Sequence, residues 1–322
     1  MRRPMRIAFL WSITLLALYY AFRLADWHEL KNALFSADPY SLIGTIILTC
    51  FSYLFRARRW QHLFAEHTIS YINAYKVLIL GFFMNNVLPA RAGEFVRAHA
   101  GSRVSGQTRT LVLATIASER LADGLSLSLM FVLFAAGLGG EKLSTELLVV
   151  AGMFGVVAMG VAAVLLARNH IFSALEKARE RTKNRYIEYI LQRAGVFVEG
   201  LKPLFTPGKV PVLVLWSTVI WFVELNAYIF IGQAFGVNMP LSYFVLFLVT
   251  VNFSSLIPSA PGAIGVIEAI ASAVLVSVGV DRELALAMVV SQHVIQYLVV
   301  GVPGAAIMLS WRRGRVAMPT TA

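Results

Sequence analysis

The chain has 322 residues, 58% of them hydrophobic and 14% charged, with a mean hydropathy of +0.71. Soluble domains carry about a quarter charged residues, so this composition excludes an ordinary soluble or fibrous protein and points to an all-α polytopic membrane protein. The net charge of +11 accompanies no nucleic-acid recognition motif, and basic residues of membrane proteins gather in cytoplasmic loops, so nucleic acid is not an expected partner.

The first stretch, MRRPMRIAFLWSITLLALYYAFRLA, is basic and then apolar in the manner of a signal peptide. Its apolar run is too long and no small-residue cleavage site follows, so a retained first span is expected. Apolar segments near 7–25, 40–57, 110–137, 147–167, 210–235 and 284–310 reach or approach the ~20 residues that cross a bilayer. Cys50, the one cysteine, lies within the second segment and excludes an intramolecular disulfide. Two further apolar regions, 73–98 and 241–280, are interrupted by polar and helix-breaking residues.

Basic residues orient the chain. Arg2, Arg3 and Arg6 precede the first segment, while Arg56, Arg58 and Arg59 follow the second. Arg168 to Lys209 flank a long loop, and Arg312, Arg313 and Arg315 follow the last segment. The linkers 26–39, 138–146 and 281–283 carry only Lys31, Lys142 and Arg282. This bias predicts cytoplasmic termini and a cytoplasmic 168–209 loop in a multi-pass membrane protein. Six spans return the chain to its starting side, so each broken region must enter and leave by one face. The expected fold is one transmembrane domain over 1–322, with about six full spans and two oppositely oriented re-entrant hairpins, an inverted repeat. Within 168–209, apolar residues recur at helical spacing between charges, which predicts an amphipathic helix or helical pair without a ligand role.

Three constellations carry chemistry. In NNVLPARAGEFVRA, Asn85, Asn86 and Pro89 break or start a helix, and Gly93 permits close backbone approach. Arg91, Glu94 and Arg97 follow at three-residue spacing, on one side of a helix. In SERLADG, Glu119 and Asp123 share a helical face, with Arg120 close to it. The residues leave three readings open: a basic site for an anionic head group, ion pairs that lock the hairpin, or a first motif that lies in cytoplasmic water. The third, NFSSLIPSAPGAIGVIEA, holds Asn252, Pro258, Pro261, Gly262, Gly265 and Glu268. It repeats the first in outline: a polar pair, two aliphatics, proline, glycine and then glutamate, at a spacing that differs by a few residues. A helix starting at Gly262 to Gly265 can aim amide groups at an anion. Glu224 has no cationic neighbour in sequence and is a candidate proton site or the partner of a distant arginine; His293 is expected to be a hydrogen-bonded packing residue.

These motifs resemble those of the lysylphosphatidylglycerol synthase transmembrane family, the flippase-like integral membrane proteins, and the resemblance covers essentially the whole chain. Family members often carry Pro-Gly-Arg-x-Gly-Glu, where this chain has Ala90, and Pro-Gly-Gly-Leu-Gly, where it has Pro-Gly-Ala-Ile-Gly. The resemblance implies two re-entrant elements and a role in moving lipids between leaflets. It places Arg91, Glu94, Arg97, Glu119, Arg120, Asp123 and Glu268 on the family's polar positions, as a substrate-binding set. The chain is expected to be a stand-alone member without the aminoacyltransferase domain. The expected function is translocation of an anionic phospho- or polyprenyl-phosphate-type lipid by alternating access, with no catalytic residue, metal or cofactor. The alternatives are a glycosyl- or phospho-transferase on a lipid-linked substrate, and a non-catalytic partner of a lipid-modifying enzyme. Expected partners are the anionic lipid, the membrane, and a second copy of the chain or a lipid-biosynthetic enzyme.

Overall fold

The computed structural model describes residues 3–64, 68–134, 167–182, 184–204, 206–257 and 259–313, with isolated positions between 152 and 163. Pro258 and the expected fourth span, 147–167, apart from its last residue, fall outside the continuously described residues. Among the described residues the chain forms twelve α-helices and no strand. They are α1 (Arg3–Phe22), α2 (Trp27–Ser36), α3 (Pro39–His62), α4 (Tyr71–Val87), α5 (Gly93–Ser105) and α6 (Arg109–Leu133). There follow α7 (Arg168–Arg181), α8 (Arg185–Gly200), α9 (Val210–Ala234), α10 (Leu241–Ser254), α11 (Val266–Ser277) and α12 (Arg282–Arg313).

Capping chemistry sets the starts. Asp26 accepts from the amides of His28 and Glu29 at α2, and Asp38 accepts from Tyr40 and Ser41 ahead of Pro39 at α3. Ser70 caps α4, Thr108 caps α6 and Asn184 caps α8 in the same way. Among the described residues, three helices are long and apolar enough to cross a membrane: Pro39–His62, Val210–Ala234 and Arg282–Trp311. Helix α6, at 25 residues, is as long as α9, but Glu119, Arg120 and Asp123 interrupt its apolar sequence.

Between helices in a membrane, packing and hydrogen bonding drive association, because lipid is as apolar as a leucine side chain. Small residues accordingly mark the close contacts. Helix α3 packs along α9, with Gly44 against Phe230 and Thr45 donating to the Ala227 carbonyl at 3.3 Å. Helix α12 meets α4 where Gly304 faces Phe83. One apolar cluster unites Phe131, Tyr228, Phe247, Ala271 and Met288; a second unites Trp60, Leu78, Ala98, Ile116 and Val300.

Each broken apolar region is a helix–turn–helix. The first is α4, a 3-10 turn at Pro89–Arg91, and α5; it extends to Ser105, beyond the expected 73–98. The second is α10, a 3-10 turn at Pro261–Ala263, and α11, ending at Ser277. The two turns share a local plan: proline opens each, the third residue is left-handed (Arg91, φ 55°; Ala263, φ 59°), and glycine stands two residues later. Pro89 therefore corresponds to Pro261, not to Pro258, so three extra residues precede the turn's proline in the second copy and its glutamate, Glu268, still falls two residues later than Glu94 does in the first. The turns touch each other. The amphipathic stretch forms α7 and α8. Helix α8 lies on α6 through Gly200 against Ala114 and an Arg193 Nη1 bond to Thr110 of 2.9 Å.

Candidate functional site

A cavity of about 440 Å³ opens where the two hairpin turns meet α3, α6, α9 and α12. Asn85, Asn86 and Arg91 of the first hairpin reach it, with Glu94 at the start of α5. Asn252, Gly262 and Ala263 come from the second hairpin, and Arg120 and Asp123 from α6. Its polar groups sit in an otherwise apolar wall that includes Phe82, Leu127, Trp221 and Val300.

Close packing of α4 on α5 fixes the first hairpin. A Cβ at Gly93 would collide with the Gly81 carbonyl oxygen and the Asn85 amide, and one at Gly81 would meet Arg97 Cβ at 2.7 Å. Glycine at 81 and 93 lets α5 run against α4, which carries Arg97 into the protein and leaves Glu94 at the cavity. A bond of 3.5 Å from Arg91 Nη1 to the Ser255 carbonyl joins the first turn to the end of α10.

Charge is arranged in two layers. In the buried layer, Arg56, Arg59 and Arg97 face Glu119, Asp123 and Glu224, all with side chains at most 10% exposed. Arg97 pairs with Glu119 and stacks on Trp60 at 4.0 Å. Arg59 bridges Glu119 at 3.6 Å and Asp123 at 2.8 Å, and also donates to Ser217. Arg56 lies 3.6 Å from Asp123 and 3.3 Å from Glu224, and Ser52 donates to the same Glu224 oxygen at 2.6 Å. Three cations are matched to three anions, which offsets the cost of burying each charge.

The layer at the cavity is unbalanced. Arg91 lies 4.0 Å and Arg120 3.1 Å from one carboxylate oxygen of Glu94, and these three side chains are 28–30% exposed. Arg120 also approaches Asp123 at 3.9 Å and Phe82 at 5.3 Å, although Asp123 is already engaged by Arg59 and Arg56. Two guanidinium groups thus share one carboxylate, leaving one surplus positive charge facing the cavity. This arrangement can hold an anion: guanidinium forks match phosphate or carboxylate oxygens, and the partly enclosed setting strengthens the attraction.

Of the expected site residues, the structure brings Arg91, Glu94, Arg120 and Asp123 together at the cavity. Arg97 and Glu119 lie behind it, held by each other and by Arg59, because the glycine-tight hairpin turns Arg97 inward. Glu224 is the partner of a distant arginine, Arg56. Glu268 belongs to a separate pair with His293 at 2.6 Å. Pro89 and Pro261 start the turns, while Gly265 has φ 84° and packs against α1 at Leu18 and Thr14.

Arg56 and Arg59 are corrected most. The sequence reading has them follow the second apolar segment, yet they lie inside α3 with only Arg58 of the three exposed. The available signal is the helical face that Ser52, Arg56 and Arg59 share at four- and three-residue spacing. Among the described residues, no group of three or more His, Cys, Asp or Glu could hold a metal ion.

Residues 6–304 match the family described as the lysylphosphatidylglycerol synthase TM region. Relatives include a UPF0104 membrane protein of Pyrococcus horikoshii, 21% identical over 86% of this chain and 89% of its own length. Another, from Methanocaldococcus jannaschii, is 24% identical over 74% of this chain and 97% of its own. Glycosyltransferase AglD of Haloferax volcanii is 26% identical over 92% of this chain, which matches 53% of that protein's length. With a match that spans nearly its whole length, this helical membrane protein belongs to the lysylphosphatidylglycerol synthase TM family.

Proposed function

We propose that the protein moves an anionic lipid between leaflets by alternating access. The observation that supports this most is the pair of part-exposed arginines, Arg91 and Arg120, sharing Glu94 at the cavity between the two turns. The lipid's phosphate would displace part of the Glu94 contact and bridge the two guanidinium groups, while its acyl chains stay in the bilayer. In this reading each helix–turn–helix is a re-entrant hairpin, and the two enter from opposite faces, as the shared turn plan of an inverted repeat suggests. The basic ends then face the cytoplasm. Rocking of one hairpin against the other at the touching turns would expose the cavity to each side alternately.

The test uses vesicles of neutral lipid containing fluorescently labelled phosphatidylglycerol and the purified protein. Outer-leaflet label is quenched chemically, and inner label becomes quenchable only as it crosses. Protein-containing vesicles should lose the protected fraction, and Arg91→Gln or Arg120→Gln should slow this by about tenfold, the value of one charge-assisted contact. Rates equal to those of protein-free vesicles, or variants as fast as the parent, would reject the reading. A lipid-linked transferase is the second reading, favoured by the similarity to glycosyltransferase AglD, and incubation with a lipid-linked sugar donor would reveal it by product formation.

A further inference from the structure

The second turn is gripped by three side chains that the anion site does not use. Tyr297 donates to the Pro261 carbonyl at 3.4 Å, His293 Nε2 lies 3.1 Å from the Gly262 carbonyl, and Glu268 Oε2 accepts from the Gly265 amide at 2.6 Å. The same stretch contains three left-handed residues, Gly262 (φ 69°), Ala263 (φ 59°) and Gly265 (φ 84°). Such backbone persists only where its surroundings hold it.

Protons can be counted from the partners. Nε2 of His293 faces a carbonyl oxygen, which only accepts, so Nε2 must carry hydrogen. Nδ1 faces Glu268 Oε1 at 2.6 Å, so one proton must also lie between these two atoms, on whichever side. The pair therefore holds one proton more than a carboxylate beside a neutral imidazole. Remove it, and a neutral ring that donates to Glu268 points its Nε2 lone pair at the Gly262 oxygen, turning a hydrogen bond into repulsion.

We infer that Glu268 and His293 form a proton-binding site that latches the second hairpin turn: with the proton bound the turn is held closed, and on its loss to solvent in the cavity the turn is released. Histidine is the side chain whose charge changes in the physiological range. On the neighbouring helices, α11 supplies Glu268 and α12 supplies Tyr297, whose ring sits edge-on at 5.0 Å from that of His293. From α3 and α9, Tyr53, Arg56 and Glu224 share the cavity, and α4 brings the uncharged Asn85 and Asn86. Arg91, Glu94, Arg120 and Asp123 line the same space and are engaged with one another. Helix α2 meets α12 at Glu283, about 15 Å earlier along the helix axis. The latch does not depend on which ligand the arginines bind.

The experiment reads the turn directly. Ser259, buried beside it at 4% exposure, is changed to cysteine in a full-length chain whose exposed Cys50 is changed to serine. Maleimide labelling of Ser259→Cys is followed between about pH 5.5 and 8.5, the range in which histidine titrates. Glu268→Gln is the decisive variant. Its carboxamide N–H can donate to Nδ1, leaving hydrogen on Nε2 for Gly262 without an added proton. It should stay closed throughout, and it serves as the reference that cancels the thiol's own ionisation. Relative to it, the parent should label about tenfold faster at the alkaline end. His293→Gln should flatten the pH profile while labelling fast. A parent profile that matches Glu268→Gln, or a His293→Gln profile that still rises relative to that reference, would overturn the latch.

Discussion

The two hairpin turns share three landmarks and differ between them. Each has proline first, a left-handed third residue and glycine at the fifth position. The fourth residue is helical in the first (Ala92, ψ −11°) and extended in the second (Ile264, ψ 137°), and only the second turn's glycine at the fifth position, Gly265, is left-handed. Beyond the turn they diverge further. Helix α5 is polar, with Glu94, Arg97 and Arg103, and it is fixed by ion pairs to α6. Helix α11 is apolar apart from Glu268 and two serines, and it is fixed by close packing on α1 and by Glu268 with His293. Turns with the same landmarks thus support a charged wall on one side of the cavity and an apolar, proton-dependent one on the other. A shared pattern of proline, left-handed third residue and glycine therefore does not bring shared ligand chemistry with it.

The largest test removes the ionic support of the first hairpin. Glu119→Ala leaves Arg97 without its carboxylate and Arg59 with one fewer, all at side-chain exposures of 4% or less. An uncompensated buried charge costs roughly 3–5 kcal/mol, so the monodisperse protein in detergent should largely disappear. Replacing both partners, Arg97→Met with Glu119→Leu, should recover most of it, because Arg59 keeps Asp123 at 2.8 Å. No recovery would mean that Arg97 does more than neutralise Glu119.

A smaller effect compares glycines. Gly93→Ala drives a methyl group into the backbone of α4, and Gly265→Ala places one at φ 84° within 2.8 Å of Leu18 and the Thr14 carbonyl. Each should lower stability by about 1–3 kcal/mol. Gly124→Ala, also at the cavity but with nothing within 4 Å of the added carbon, should raise it by about 0.5–1 kcal/mol through helix propensity. Thermal inactivation followed by size exclusion gives all three, and a loss for Gly124→Ala would show that the cavity is narrower than described.

The turns were legible in the sequence because proline and glycine restrict the backbone locally, and both hairpins announce themselves as apolar runs broken by such residues. Asn85, Arg91, Glu94 and Arg120 could be placed at one site because two motifs concentrate them. Arg56 and Arg59 could not, since basic residues at the end of an apolar run look the same whether they anchor the span in water or turn inward. Which of these holds depends on Glu119, Asp123 and Glu224, which are 60 or more positions away and come from other helices. The register of the second turn was hidden for a simpler reason: Pro258 and Pro261 both fit the pattern, and only the left-handed residue at 263 distinguishes them.

The smallest effect separates the turn's backbone from its charge. Arg91 and Ala263 both carry a side chain in the left-handed region, where an L-residue other than glycine costs about 1–2 kcal/mol. Glycine relieves that strain but enlarges the entropy of the unfolded chain, so Arg91→Gly and Ala263→Gly should each stabilise by less than about 1 kcal/mol. Their consequences for lipid movement should differ. Arg91→Gly also deletes one of the two guanidinium groups that share Glu94, so the protein should become slightly harder to inactivate and yet slower in the vesicle assay. Ala263→Gly removes no charge and should keep the parent's rate. If both glycines slow lipid movement equally, the strained turns themselves set the rate; if only Arg91→Gly does, the charge carried on the first turn sets it.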